Sequence, residues 1–253
     1  MSKIFDALRK AEQERTGRPR KRGATPRRVR SEDDAGRFVT GVDEAFKRSL
    51  LGLRNSIDSE MRTKESRIVM FTSALAGEGK TTIVSYLARL LAASESDKIL
   101  LADCAIVNPE IHTLFGLPNE KGILEYLAGE ATLESVTRTV DAGFLDVITA
   151  GTRRSADITQ PLFNSERMVV FARTVAERYD YVLVDTSSIL QAPETPIIGS
   201  HANGIVMVIR AGKTKREVVR RAMMTVEKLD GRFIGTVLNR KKYYIPEFIY
   251  RRV

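Results

Sequence analysis

The sequence predicts an α/β protein with a doubly wound, mainly parallel sheet, on three observations. From about residue 67 to residue 239, apolar β-branched runs alternate with helical patterning, the rhythm of strands covered on both faces by helices. The first run, Ile68-Val69-Met70-Phe71-Thr72, leads into Ala74-Leu75-Ala76-Gly77-Glu78-Gly79-Lys80-Thr81. That segment keeps the spacing of a phosphate-binding loop, with alanine in the first position. Behind it, Ile83, Val84, Leu87, Leu90 and Leu91 recur at helical spacing, so strand, loop and helix stand in register.

Taken in order, strands are expected at 68–72, 98–103, 144–149, 181–185, 204–210 and 233–238. Helices are expected at 44–57, 80–93, 160–178 and 214–229, the last opened by a capping box of Thr214 and Glu217,. These elements make a P-loop domain over 44–240.

The ends differ from this body. Residues 1–16 hold a short amphipathic helix with Ile4, Phe5, Leu8 and Ala11 on one face, suited to docking,. Residues 17–43 form a flexible basic linker with Pro19 and Pro26, whose root-mean-square reach is roughly 25–30 Å. Residues 241–253 are a tail of aromatics and cations. The net charge of +9 sits in these ends: residues 1–30 carry eleven Lys/Arg against three Asp/Glu, and 240–253 carry five against one. The body is slightly acidic.

Hydrophobic residues make up 43% of the 253, as in ordinary globular proteins. No apolar run approaches the ~18 residues that span a bilayer, and the charged start lacks a secretory h-region. The single cysteine, Cys104, excludes an internal disulfide and fits a reducing, cytoplasmic setting. The basic linker could lie peripherally on anionic lipid. No aromatics interleave with its cations, which argues against nucleic acid as partner. His112 and His201 lack metal-ligand companions.

The candidate site follows from the loop. The backbone of Ala76, Gly77, Glu78, Gly79, Lys80, Thr81 and Thr82 would cradle the phosphates of a nucleoside triphosphate, helped by the helix N-terminus. Lys80 would reach the β- and γ-phosphates, and Thr81 would offer its hydroxyl to Mg²⁺,. In a parallel sheet, ligands sit beyond the carboxyl ends of strands, and two expected strands end there in aspartate. Tyr181-Val182-Leu183-Val184-Asp185 places a carboxylate on the Mg²⁺ side,. Ile99-Leu100-Leu101-Ala102-Asp103 places a second near the γ-phosphate. For each, the plain alternative is a turn or helix-capping aspartate.

The chain resembles the cytoplasmic domain of the bacterial tyrosine kinases (BY-kinases), P-loop autokinases tied to capsule and exopolysaccharide synthesis. The matching stretches are Thr72 to Thr82, Leu100 to Asp103, Pro109-Glu110-Ile111-His112-Thr113-Leu114-Phe115-Gly116-Leu117-Pro118-Asn119, Tyr179 to Thr186 and Gly235 to Arg240. The resemblance implies ATP and Mg²⁺ as cofactors and Lys80, Asp103 and Asp185 as catalytic residues. It also implies Asn239 at the adenine, with a strand-end turn as the alternative. Tyr243, Tyr244 and Tyr250 become candidate phosphoacceptors, and a separate membrane chain-length (co-polymerase) protein the activating partner.

Three departures weaken the match. After Asp103 the family carries a second acid and then an arginine, where this chain has Ala105 and Val107. Asp185-Thr186 is followed by Ser187-Ser188 rather than two prolines. Of the family's E-x-x-R-x-x-R oligomerisation helix, Glu44 and Lys47 fit, but the last position is Leu50, so a homo-oligomer is only partly supported. A lost acid lowers phosphotransfer by ~10²–10⁴-fold, while ATP affinity survives. Three functions therefore stand open: a regulator of exopolysaccharide synthesis with weakened tyrosine autokinase activity, a nucleotide-sensing scaffold, and a positioning ATPase of the MinD/ParA kind. The last carries a signature lysine where this chain has Leu75.

Overall fold

The computed structural model describes residues 43–61, 67–140, 143–152, 161–228 and 231–241. The expected docking helix, all of the linker before Asp43, and the tail beyond Lys241 with Tyr243, Tyr244 and Tyr250 lie outside them.

Helix α1 (Glu44–Glu60) precedes β1 (Arg67–Ser73) and α2 (Lys80–Ala92). Then come β2 (Ile99–Cys104), α3 (Ile111–Phe115), α4 (Ile123–Leu127), α5 (Leu133–Val136), β3 (Thr137–Val140) and β4 (Leu145–Ile148). The chain continues through α6 (Glu166–Arg178), β5 (Tyr181–Thr186), α7 (Glu194–Ser200), β6 (Gly204–Arg210), α8 (Arg216–Glu227) and β7 (Phe233–Asn239). The sheet has seven strands in the order β3-β4-β2-β5-β1-β6-β7. Only β3 runs antiparallel, against β4.

The central strands β1, β2, β5 and β6 are mainly apolar because both of their faces are covered,. Alternate residues of each strand enter opposite cores. Ile68, Met70, Leu100, Val182 and Met207 pack with Phe171 and Val175 of α6 and Val226 of α8. Val69, Phe71, Leu101, Leu183 and Val206 pack with Leu50 and Ile57 of α1 and Ile83 and Leu87 of α2. Phe171 is 2% exposed and lies against Tyr126, 5.7 Å between ring centroids. Phe171→Ala should lower unfolding free energy by about 3–5 kcal/mol, read from urea titration of the apo protein.

Helix α1 is tied to the sheet by ion pairs as well as by packing. Arg54 meets Asp97 at 3.2 Å, Arg67 meets Asp58 at 3.4 Å, and the Tyr181 hydroxyl donates to Asp58. Leu50, standing where the oligomerisation pattern needs an arginine, is buried in this packing. That position therefore presents no cation to a neighbouring copy.

Three expectations need correction. The helix expected over 160–178 is interrupted at Asn164 and Ser165; Ser165 is extended (ψ 159°) and α6 starts only at Glu166. The expected capping box at α8 is not made. Its N-cap is Lys215, without a side-chain bond, because the Thr214 hydroxyl donates to Glu78 instead. Strand β3 and the short helices α3, α4, α5 and α7 were not expected at all.

Candidate active site

The phosphate loop joins β1 to α2. Gly77 and Gly79 hold positive φ angles of 74° and 97°, the left-handed backbone that an anion-binding nest needs and a side chain resists. Lys80 begins α2 and is 8% exposed. Burial lowers its pKa, against the opposing charges of Asp185, Glu78 and Glu110. An ammonium so placed faces carboxylates rather than water, and a phosphate would be a better partner.

Two hydroxyl bonds fix the floor of the site. Thr186 Oγ1 donates to the Phe71 carbonyl at 2.9 Å, and Thr72 Oγ1 donates to the Ser187 carbonyl at 3.1 Å. They lock the end of β5 to the end of β1, and so Asp185 to the loop. The β2–β5 register sets Asp103 opposite Asp185, and both are fully buried.

The two carboxylates keep different company. Asp103 Oδ1 accepts from the Ala105 amide at 3.0 Å, and Oδ2 accepts from the Ile111 amide at 3.2 Å. It thus holds the turn after β2 and the start of α3, as the turn-and-cap alternative foresaw. Burial and the charge of Asp185 push its pKa well up, against those two amides. Asp185 has no hydrogen-bond partner of good geometry on either oxygen. Burial raises its pKa to about 6, while the nearby Thr81 hydroxyl and Lys80 charge pull it down. A buried, orphaned carboxylate beside a threonine hydroxyl fits one side of a Mg²⁺ shell. Among the described residues no three His, Cys, Asp or Glu cluster to hold a metal ion.

A pocket of about 320 Å³ opens over the loop, Lys80 and Thr81, and neither Asp103 nor Asp185 lines it, both being fully buried. Ala76, Gly77, Gly79, Lys80, Thr81 and Thr82 line it as expected, and Ala105 and Val107 line it where the resemblance calls for an acid and an arginine. Two residues of the expected nucleotide set do not line it. The Glu78 side chain is buried behind the loop, and Asn239 Nδ2 donates to the Glu78 carbonyl at 2.8 Å. Glu110, Ser187 and Arg240 line the pocket without having been assigned roles. Glu110 lies inside the Pro109–Asn119 stretch, the one signal that could have found it. A second cavity of about 370 Å³ lies between α1 and β7, lined by Leu50, Ile57 and Ile234, away from both aspartates.

Cys104 is buried at the end of β2, and burial raises its pKa well above that of a reactive thiol,. No described helix is long and apolar enough to cross a membrane.

No protein-family model matches the chain. It is 32% identical over 190 residues to the tyrosine-protein kinase YwqD of Bacillus subtilis, covering 75% of this chain and 79% of that protein. It is also 32% identical over 187 residues to the tyrosine-protein kinase Etk of Escherichia coli, there spanning only 25% of the relative. The solved kinase domain of Etk superposes with a TM-score of 0.72 at 29% identity, over 79% of each chain. MinD of Pyrococcus horikoshii, at 18% identity and TM-score 0.59 over 74% of this chain and 76% of that one, shares the fold alone. By sequence and by architecture, the chain belongs to the family of bacterial tyrosine kinases.

Proposed function

We propose that this chain binds ATP with Mg²⁺ and serves as a kinase-type regulator of exopolysaccharide synthesis or export, with weakened tyrosine phosphotransfer. The observation that carries the reading is Asp185: fully buried, with neither oxygen in a hydrogen bond of good geometry, and close to the Thr81 hydroxyl. The loop amides and Lys80 would hold the β- and γ-phosphates, and Thr81 and Asp185 would hold the metal from the protein side. A bound Mg²⁺ would neutralise developing charge on the phosphate oxygens. Asp103 keeps the β2–α3 turn in place beside them.

The weakness lies at Ala105. This position is buried and lines the pocket, so an acid there would bring a carboxylate into the site beside Glu110, and alanine brings none. Asp103 has both oxygens engaged by amides and is a poor substitute as proton acceptor. The same observation favours a second reading, in which the chain senses nucleotide as a scaffold for a membrane chain-length protein. Tyr243, Tyr244 and Tyr250 are the proposed acceptors, and a peripheral place at the inner membrane face follows from that partner.

Incubating the purified full chain with Mg²⁺-ATP and blotting for phosphotyrosine separates the two. The kinase reading expects weak label, abolished by Lys80→Met. It also expects Ala105→Asp to raise the rate, by ~10²-fold or more if the missing acid is the cause. No label in either protein, with ATP still bound, leaves the scaffold. Strong wild-type label would discard the weakened-catalysis reading.

A further inference from the structure

We propose that Glu78 and Thr214 form a latch that positions the phosphate loop for ATP, an inference that rests on the nucleotide site argued above. Glu78 stands in the middle of a loop that faces a pocket, yet it is 2% exposed. Its Oε2 accepts from the Leu75 amide at 2.9 Å, across the loop itself. Its Oε1 accepts from the Arg210 amide at 3.0 Å and from the Thr214 hydroxyl. Its carbonyl accepts from Asn239 Nδ2 at 2.8 Å. One residue therefore fastens the loop to the last residue of β6, the turn opening α8, and the last residue of β7.

Chemistry explains why this residue is an acid. Both carboxylate oxygens face only donors, which an ionised Glu satisfies and an amide cannot. In Glu78→Gln, the NH₂ group would confront either the Leu75 amide or the Arg210 amide, leaving a buried donor unpaired. A negative charge one residue from Gly79 also works against binding an anion. That cost is offset where the carboxylate holds the loop in its binding shape, as its bonds to the Leu75 and Arg210 amides do. Thr214 completes the latch with a hydroxyl that capping of α8 leaves unused.

The test is calorimetric titration of the full chain with Mg²⁺-ATP, beside thermal melts without nucleotide. Glu78→Gln should weaken affinity by about tenfold to a hundredfold, the scale of a charged hydrogen bond lost. Thr214→Val should weaken it by about three- to tenfold, and Thr214→Ser should restore it. A residue that merely stabilised the fold would lower the melting temperature while the folded protein kept its affinity. If Glu78→Gln fails to fold, the two Thr214 variants decide. Undiminished affinity in Thr214→Val, or equal weakness in Thr214→Ser, overturns the latch. A wild-type chain that ignores ATP overturns the nucleotide reading and the latch together. Lys80-dependent binding indifferent to the latch variants overturns the latch alone.

Discussion

Gly79→Ala is expected to weaken ATP affinity about fivefold more than Gly77→Ala does. Both glycines occupy the left-handed region, at φ 97° and 74°, where an L-residue costs roughly 1–2 kcal/mol. They differ in surroundings. A Cβ at Gly77 would meet nothing within 4 Å, whereas one at Gly79 would stand 2.2 Å from Asn239 Nδ2. Asn239 could yield only by giving up its bond to the Glu78 carbonyl, worth about 1 kcal/mol more. If the loop relaxes out of its binding shape to relieve both, affinity should fall about 30- to 150-fold in Gly79→Ala. The strain alone gives about 5- to 30-fold in Gly77→Ala. Titration calorimetry with Mg²⁺-ATP measures both. Equal losses in the two variants would show that the Asn239 contact contributes nothing.

This asymmetry was partly legible in the sequence. The positions of Gly77 and Gly79 follow from the motif, and the strands that flank the site follow from apolar runs buried on both faces. Asp103 and Asp185 stand near the ends of β2 and β5, as a sole polar residue closing an apolar run suggests, but nothing in the runs sets these two strands side by side. What could not be read was their company. Asp103 is engaged by amides two and eight residues away, whereas Asp185 has no such partner; nothing in either run distinguishes them. Glu78 was hidden for the same reason, since its partners Arg210, Thr214 and Asn239 arrive from more than 130 residues away. That tertiary demand also undid the capping box: a hydroxyl offered locally to a helix was taken by a buried carboxylate, the stronger acceptor. Strand β3, Thr137-Arg138-Thr139-Val140, is partly exposed and lies at the sheet edge, so it has no apolar alternation to reveal it. Helices α3 and α4 have five residues each, too few for a helical period to show.

Asp185→Asn should separate stability from function by moving them in opposite directions. Phosphotransfer should fall by ~10²–10⁴-fold, since the carboxylate proposed to hold the metal is gone. The apo fold, however, should become more stable at pH 7.5. Asp185 is fully buried and its pKa is raised from 3.8 to about 6, so the native state holds this proton more tightly than the unfolded chain does. Its contribution to stability is greatest below about pH 4 and is lost as pH rises through about 6. At neutral pH the ionised carboxylate thus costs on the order of 2–3 kcal/mol. Asparagine removes that charge, and with it the repulsion that helps raise the pKa of Asp103. Asparagine also loses the attraction between Asp185 and Lys80, which offsets part of that gain. Urea titrations without nucleotide should therefore show the variant about 1–3 kcal/mol more stable at pH 7.5. Below about pH 4, under both pKa values, the two proteins should be almost equal. Saturating Mg²⁺-ATP should reverse the order, because ligand binding stabilises only the protein that binds it well. A variant less stable than wild type at pH 7.5 would mean that Asp185 holds the fold together, and its orphaned oxygens would then say nothing about a metal.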